Sequence, residues 1–249
     1  MNGRMVAGCL LVLAVGCLAA QASGGTWEIE LETGPVFSGY NDVRIPGDGG
    51  TEISLVDDLD TPADVFFRSK VIYRFNKRHS LGLLVAPLTL EADGSVSDPV
   101  VFEGVEFPAG VDLDASYRFD SYRLTYGYTF YPRRDLAATL GFTAKVRDAS
   151  VKLESNDQSS EKTNTGFVPL LNLRLYWTPR GRMSVLFEAD ALAAPQGRAE
   201  DVIFALEYGL LPSLALRFGY RLLEGGADND EVYNFTLLNY AVLGAVIRL

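Results

Sequence analysis

Residues 167–178 read Phe-Val-Pro-Leu-Leu-Asn-Leu-Arg-Leu-Tyr-Trp-Thr. One phase of this stretch is Phe167, Pro169, Leu171, Leu173, Leu175 and Trp177. The other is Val168, Leu170, Asn172, Arg174, Tyr176 and Thr178. A period of two means a strand with unlike faces. The stretch is also long, since soluble strands usually run about 5–6 residues. Ten steps at ~3.3 Å and a tilt near 40° cover about 25 Å, the height of the apolar band of an outer-membrane barrel.

The same pattern recurs. Tyr122, Leu124, Tyr126, Tyr128 and Phe130 alternate with Ser121, Arg123, Thr125, Gly127 and Thr129. Leu136, Ala138, Leu140, Phe142, Ala144 and Val146 alternate with a phase that ends in Lys145 and Arg147. Leu214, Leu216, Phe218, Tyr220 and Leu222 alternate with Ala215, Arg217, Gly219, Arg221 and Leu223. We place strands near 26–40, 63–76, 79–92, 112–131, 135–154, 162–178, 182–193, 199–211, 213–224 and 232–249. The turns at Asn76–His79, Pro132–Asp135, Pro179–Gly181 and Leu211–Ser213 are tight. The connections 41–62, 93–111, 155–161 and 225–231 are longer and rich in Asp, Gly and Ser. The connection 194–198 is short but falls on their side. The expected fold is therefore all-β, an up-and-down antiparallel transmembrane β-barrel of about ten strands, with short periplasmic turns and longer extracellular loops. An even count puts both termini on the short-turn side. A soluble, lipocalin-like barrel is the architectural alternative. It would place the apolar phase inside.

The N-terminus fits export. Arg4 precedes an apolar run from Met5 to Ala20, too short to span a bilayer but suited to a secretory signal. Ala20-Gln21-Ala22 is a small-x-small cleavage site, so residues 1–22 are expected to be a signal peptide and 23–249 the barrel domain. The alternative is lipidation at Cys17. Cys9 and Cys17 are the only cysteines, and both lie in the signal. Export without cysteine leaves neither disulfide nor thiolate metal site. The net charge of −10 argues against nucleic acid as a partner.

Aromatics gather near strand ends, as at membrane interfaces. On the turn side these are Trp27, Tyr73, Phe75, Phe130, Tyr131, Tyr176 and Trp177. On the loop side they are Phe37, Tyr40, Phe66, Phe67, Tyr117, Phe119, Phe167, Tyr220, Tyr233 and Phe235. At the C-terminus Ala241, Leu243, Ala245, Ile247 and Leu249 form one apolar phase running to the last residue. The whole pattern resembles small bacterial outer-membrane barrels of the OmpW/OmpA-like superfamily, with no subfamily singled out. Their final residue is usually Phe or Trp, where this chain has Leu249. The resemblance implies a Gram-negative outer-membrane location, a porin-like architecture, contact with outer-membrane lipid, and an assembly machinery that reads the last strand.

If the apolar phase faces lipid, the other phase lines the lumen. Its charged residues are Glu28, Glu30, Glu32, Arg68, Lys70, Arg74, Arg123, Lys145, Arg147, Arg174, Glu188, Asp190, Glu207, Arg217, Arg221 and Arg248. Two readings stand side by side: an interior salt-bridge network, or an anion-favouring lumen. Apolar lumen positions are Ile72, Leu84, Leu88, Leu170, Leu186, Ile203 and Leu223. They read either as core packing or as a patch for an apolar ligand, as in OmpW-like barrels. Leu81–Leu90 is apolar on both faces and contains Pro87, which predicts a bulge or kink.

Signals for catalysis are weak. His79, the only histidine, falls in a tight turn beside Lys77 and Arg78, and nothing in the pattern converges a carboxylate and Ser80 around it. The acidic runs Asp57-Asp58-Leu59-Asp60 and Asp228-Asn229-Asp230-Glu231 lack the spacing and glycine of a calcium loop and read as solvated surface. The sequence thus predicts no enzyme, no metal site and no cofactor. It predicts a structural protein or narrow pore for small solutes with a charged lumen, or else a barrel that binds an apolar ligand or an external partner, with an outer-membrane enzyme as the third and least favoured reading.

Overall fold

The computed structural model describes residues 25–133, 135–195 and 197–249; the proposed signal peptide lies outside them. In chain order the strands are β1 (Thr26–Arg44), β2 (Ile53–Ser54), β3 (Asp64–Arg74), β4 (His79–Ala86), β5 (Thr89–Ser95), β6 (Val100–Phe102), β7 (Val105–Phe107), β8 (Asp112–Pro132), β9 (Leu136–Glu154), β10 (Ser159–Arg180), β11 (Met183–Ala194), β12 (Gly197–Leu211), β13 (Leu214–Asp228) and β14 (Tyr233–Arg248). No helix occurs among the described residues.

Neighbours in sequence pair antiparallel from β8 to β14, and β14 returns to β1. The seam runs from Arg44↔Tyr233 down to Glu28↔Arg248, and Trp27 and Leu249 exchange backbone hydrogen bonds at its foot. Counting β4 and β5 as one stave, this is a closed barrel of ten staves. Closure leaves the wall without the edges of an open sheet.

The pleat sorts the side chains as the alternation predicts. Leu124, Tyr126, Leu140, Phe142, Leu171, Phe204, Phe218 and Leu243 are exposed on the outside, while the charged phase is buried inside. A soluble barrel would show the reverse, so the lipocalin-like alternative fails. Along β10 the outward band runs from Phe167 to Trp177.

Three features refine the sequence expectations. First, β8 and β9 keep the expected bounds and stay paired well beyond the band, up to Asp114↔Glu154, while β1, β10 and β13 run further than expected, to Arg44, Ser159 and Asp228. Second, the bulge or kink expected at Pro87 is present, and the stave divides there. β4 pairs with β3 and β8, whereas β5 pairs with β8 alone. The break is stitched by Phe119 N–H to Leu88 C=O (2.8 Å) and Leu88 N–H to Asp120 Oδ1 (3.1 Å). Proline supplies no N–H for a ladder, so the strand bends there. Third, the loops 41–62 and 93–111 are not merely solvated. β2 and the β6–β7 hairpin fold over the barrel's loop end around a buried apolar core that includes Ile45, Ile53, Leu55, Phe102, Phe107, Leu113 and Leu153. The acidic residues Asp57, Asp58, Asp60 and Asp228–Glu231 are exposed on its surface, as expected.

The aromatic belts are thinner than the sequence suggests. Tyr176 points into the lumen, and Phe66 and Tyr117 are buried in the interior and the cap. Each sits in the inward phase of its strand, Tyr176 with Arg174 and Phe66 with Arg68. Propensity for strand ends does not override the pleat.

Candidate functional site: a plugged lumen with a cavity at each end

Every charged position expected in the lumen turns inward. Eight cations and seven carboxylates interlock in three tiers. In the lowest, Glu28 meets Arg74 (3.1 Å), Arg174 (3.3 Å) and Arg248 (2.9 Å), and Glu188 meets Lys70 and Arg174. In the middle, Arg217 meets Glu30 (2.9 Å), Glu32 (2.7 Å) and Glu207 (2.7 Å), while Arg174 reaches Glu30 at 2.6 Å. In the upper tier, Asp201 collects Arg68 (3.0 Å), Arg123 (2.7 Å) and Arg221 (2.6 Å). Asp190 holds the other side of Arg123 and accepts from Thr143 and Asn172. Arg217, 1% exposed, sits at the centre.

Buried charges are tolerable only when paired and hydrogen-bonded. Here each carboxylate of the plug has at least one cation. The space left among them is about 20 Å³, beside Glu30, Arg68 and Asp201, room for about one water. Asp201 was missing from the sequence-derived set. It precedes Ile203 by two residues, so the inward phase that contains Ile203 and Glu207 already implied it.

Of the apolar lumen positions, Leu88, Leu186, Ile203 and Leu223 join Val36, Phe66, Leu90, Leu238 and Tyr240 in one cluster that fills the cross-section beside the ions. Ile72, Leu84 and Leu170 are buried outside it. Ile72 lines the turn-end cavity, Leu84 the ionic plug and Leu170 the loop-end cavity. The seven are therefore not one patch.

Two cavities flank the plug. The one at the short-turn end holds about 450 Å³ and is lined by Trp27, Arg74, Tyr176 and Arg248 among others. Tyr176 donates to Glu207 at 2.7 Å and accepts from Arg248 at 2.9 Å. The other, about 320 Å³, lies toward the loop end, against Tyr117, Phe119, Arg123, Lys145 and Arg147.

Lys145 and Arg147 differ from the other lumen cations. Lys145 is 4% exposed, yet no carboxylate among the described residues pairs with it. Its ammonium instead lies 4.8 Å from the centre of the Phe119 ring. Arg147 donates to Asn164 and has no carboxylate partner among the described residues either; its buried Nε–H has no acceptor. The surplus of positive charge therefore sits above the plug.

His79 lies at the short-turn end, as expected. Its Nδ1 is 2.7 Å from the Tyr126 hydroxyl, and its ring lies against Tyr128. Among the described residues no group of three or more His, Cys, Asp or Glu is arranged to hold a metal ion.

A closed ten-stave barrel with an apolar outside and a charged inside is the architecture of an outer-membrane β-barrel. Solved structures agree on the fold. The chain is similar to the outer membrane protease OmpT from Escherichia coli, with a TM-score of 0.59 and 7% identity, over 92% of this chain and 98% of that one. Looser likenesses link it to Ail, the attachment invasion locus protein of Yersinia pestis (TM-score 0.38, 14% identity, 89% and 98% covered), and to the P. putida toluene transporter TodX (TM-score 0.32, 11% identity, 91% and 90% covered). At 7% identity the likeness to OmpT concerns the fold alone. No protein-family model and no curated protein sequence matches the chain.

Proposed function

We propose that the protein is an outer-membrane barrel that binds rather than conducts: a sealed scaffold that carries a folded cap and a loop-end cavity. The observation that carries this reading is the three-tier ionic plug. A pore needs a continuous wet path, and the void at mid-lumen is about 20 Å³. The outward apolar band, the seam closed at Leu249 and the signal-like N-terminus support a place in the Gram-negative outer membrane, with the short turns periplasmic and the cap outside. The last strand, with its apolar phase from Ala241 to Leu249, would be what the assembly machinery reads, as in the small OmpW/OmpA-like barrels. The reading includes no catalysis: His79 contacts the rings of Tyr126 and Tyr128 at the short-turn end, and no carboxylate among the described residues bonds to it.

The test is electrical. Purified protein in a planar lipid bilayer is expected to give no conductance steps. Steady ohmic channels from the wild-type protein would overturn the reading and restore the narrow pore.

A further inference from the structure

Besides the divided stave at Pro87, the ladder of the barrel wall is interrupted between β10 and β11. β10 pairs with β11 from Arg180↔Met183 up to Leu171↔Ala191, and the ladder stops there. β11 continues to Ala194 paired only with β12, and β10 continues to Ser159 paired only with β9. Continued register would bring Pro169 opposite Ala193.

The cause is local. The Thr178 N–H bonds to Asp135 C=O on the β9 side. Backbone groups along a strand face alternate neighbours, and the β9–β10 register has no shift. Pro169, an odd number of residues away, therefore turns its nitrogen toward β11. Proline has no N–H to give, and the ladder ends two residues below it.

The opening lies at the loop-side rim of the apolar band. Phe167, 65% exposed on the outside, marks that rim and also lines the loop-end cavity. The cavity thus reaches from the outer surface, past Pro169 and Leu192, to Lys145 and Arg147 inside. Its volume of about 320 Å³ falls in the range of ligand pockets, roughly 300–1,000 Å³. Its carboxylates do not neutralise the two cations. Asp201 already holds three guanidiniums, Glu224 is engaged by Arg198 and Tyr40, and Glu200 is exposed. A buried ammonium without an anion is costly. An arriving anion would remove that cost.

We propose that this cavity binds an anionic amphiphile that enters sideways from the outer leaflet, its acid group between Lys145 and Arg147 and its chain passing between Pro169 and Leu192 into the lipid. The inference rests on the binding reading above, but fails separately from it, since its readout is affinity and not conductance.

The probe is dodecyl phosphate, added to the protein in phosphatidylcholine nanodiscs and followed by calorimetry. Dodecanol serves as the chain-only control and inorganic phosphate as the head-only control. Saturable binding of dodecyl phosphate alone is expected. The double variant K145Q/R147Q should weaken it about tenfold or more, in line with loss of charge-assisted hydrogen bonds. A second variant, P169C/A193C, closes the gap without touching the cations, by restoring an N–H at position 169 and by a cross-strand disulfide. Oxidised, it should lose binding. Retained gel mobility of the folded form checks that each variant is a barrel. Inorganic phosphate binding as tightly as dodecyl phosphate would assign the site to free anions and overturn the amphiphile. Unchanged affinity in K145Q/R147Q, or in the oxidised disulfide variant, would overturn the site or the sideways entry respectively.

Discussion

The barrel is closed twice, by opposite chemistry. At mid-lumen the closure is ionic, with Arg217 held by Glu30, Glu32 and Glu207. At the loop end it is apolar, with Phe102 and Phe107 fully buried among Ile45, Leu55 and Leu153. The ionic closure joins staves from all round the barrel, since its members come from β1, β3, β8, β10, β11, β12, β13 and β14. The apolar closure joins loops to one side of the wall. Damage to the first should therefore be global, and damage to the second local.

Arg217→Ala is expected to show the largest effect. It leaves Glu30, Glu32 and Glu207 facing one another with one cation fewer, and breaking a buried ionic cluster costs about 3–5 kcal/mol. Urea unfolding in lipid vesicles, followed by gel mobility, should show the midpoint fall for the whole barrel. A midpoint unchanged from wild type would mean the plug is not structural. Phe102→Ala removes a comparable amount of packing, about 3–5 kcal/mol for a buried phenylalanine. There the loss should be confined to the cap. Protease should cut within 41–62 and 93–111 while the barrel unfolds at the wild-type midpoint. A fall of both together would merge the two closures into one cooperative unit.

The outside of the wall supplies the next test. Leu171 is 65% exposed at a mid-band level. In lipid, Leu171→Arg should cost about 2–4 kcal/mol, which the same unfolding measurement reads. No loss would place this face in water and undo the inside-out assignment that everything in the lumen depends on.

These regions were unequally legible in the sequence. The staves and tight turns could be read because an apolar outside and a charged inside impose a strict period of two, and one residue of slip would invert it. The inward charges followed from that period, and even the overlooked Asp201 lay in it. Tyr176, Phe66 and Tyr117 went astray where a composition argument about aromatics displaced the phase. The cap was illegible for a different reason. Its apolar words, Ile53 and Leu55, Val100 and Phe102, and Phe107, are short and separated by Asp and Gly, so no window shows a period. Only folding brings them together. Pro169 was visible, but its meaning depends on which neighbour its nitrogen faces, and that requires the register.

The smallest effect should come from an ion pair outside both closures. Asp148 and Arg118 meet at 2.7 Å on the projecting part of β8 and β9, beyond the apolar band. The hydrogen bond from Arg118 holds the Asp148 carboxyl below its ordinary value of 3.8. A depressed carboxyl stabilises the fold above its unfolded value and loses that contribution as pH falls through the folded one. The contribution of this pair is therefore complete at neutral pH and declines as pH falls below about 4 toward the lower folded value. Because the pair is solvated, its worth is under about 1 kcal/mol and shrinks with salt. Asp148→Asn should lower the cap's proteolytic resistance slightly at pH 7 and progressively less as pH falls below about 4, leaving the unfolding midpoint of the barrel where it was. An effect as large as that of Phe102→Ala would mean that the projecting wall, and not the apolar core, is what holds the cap in place.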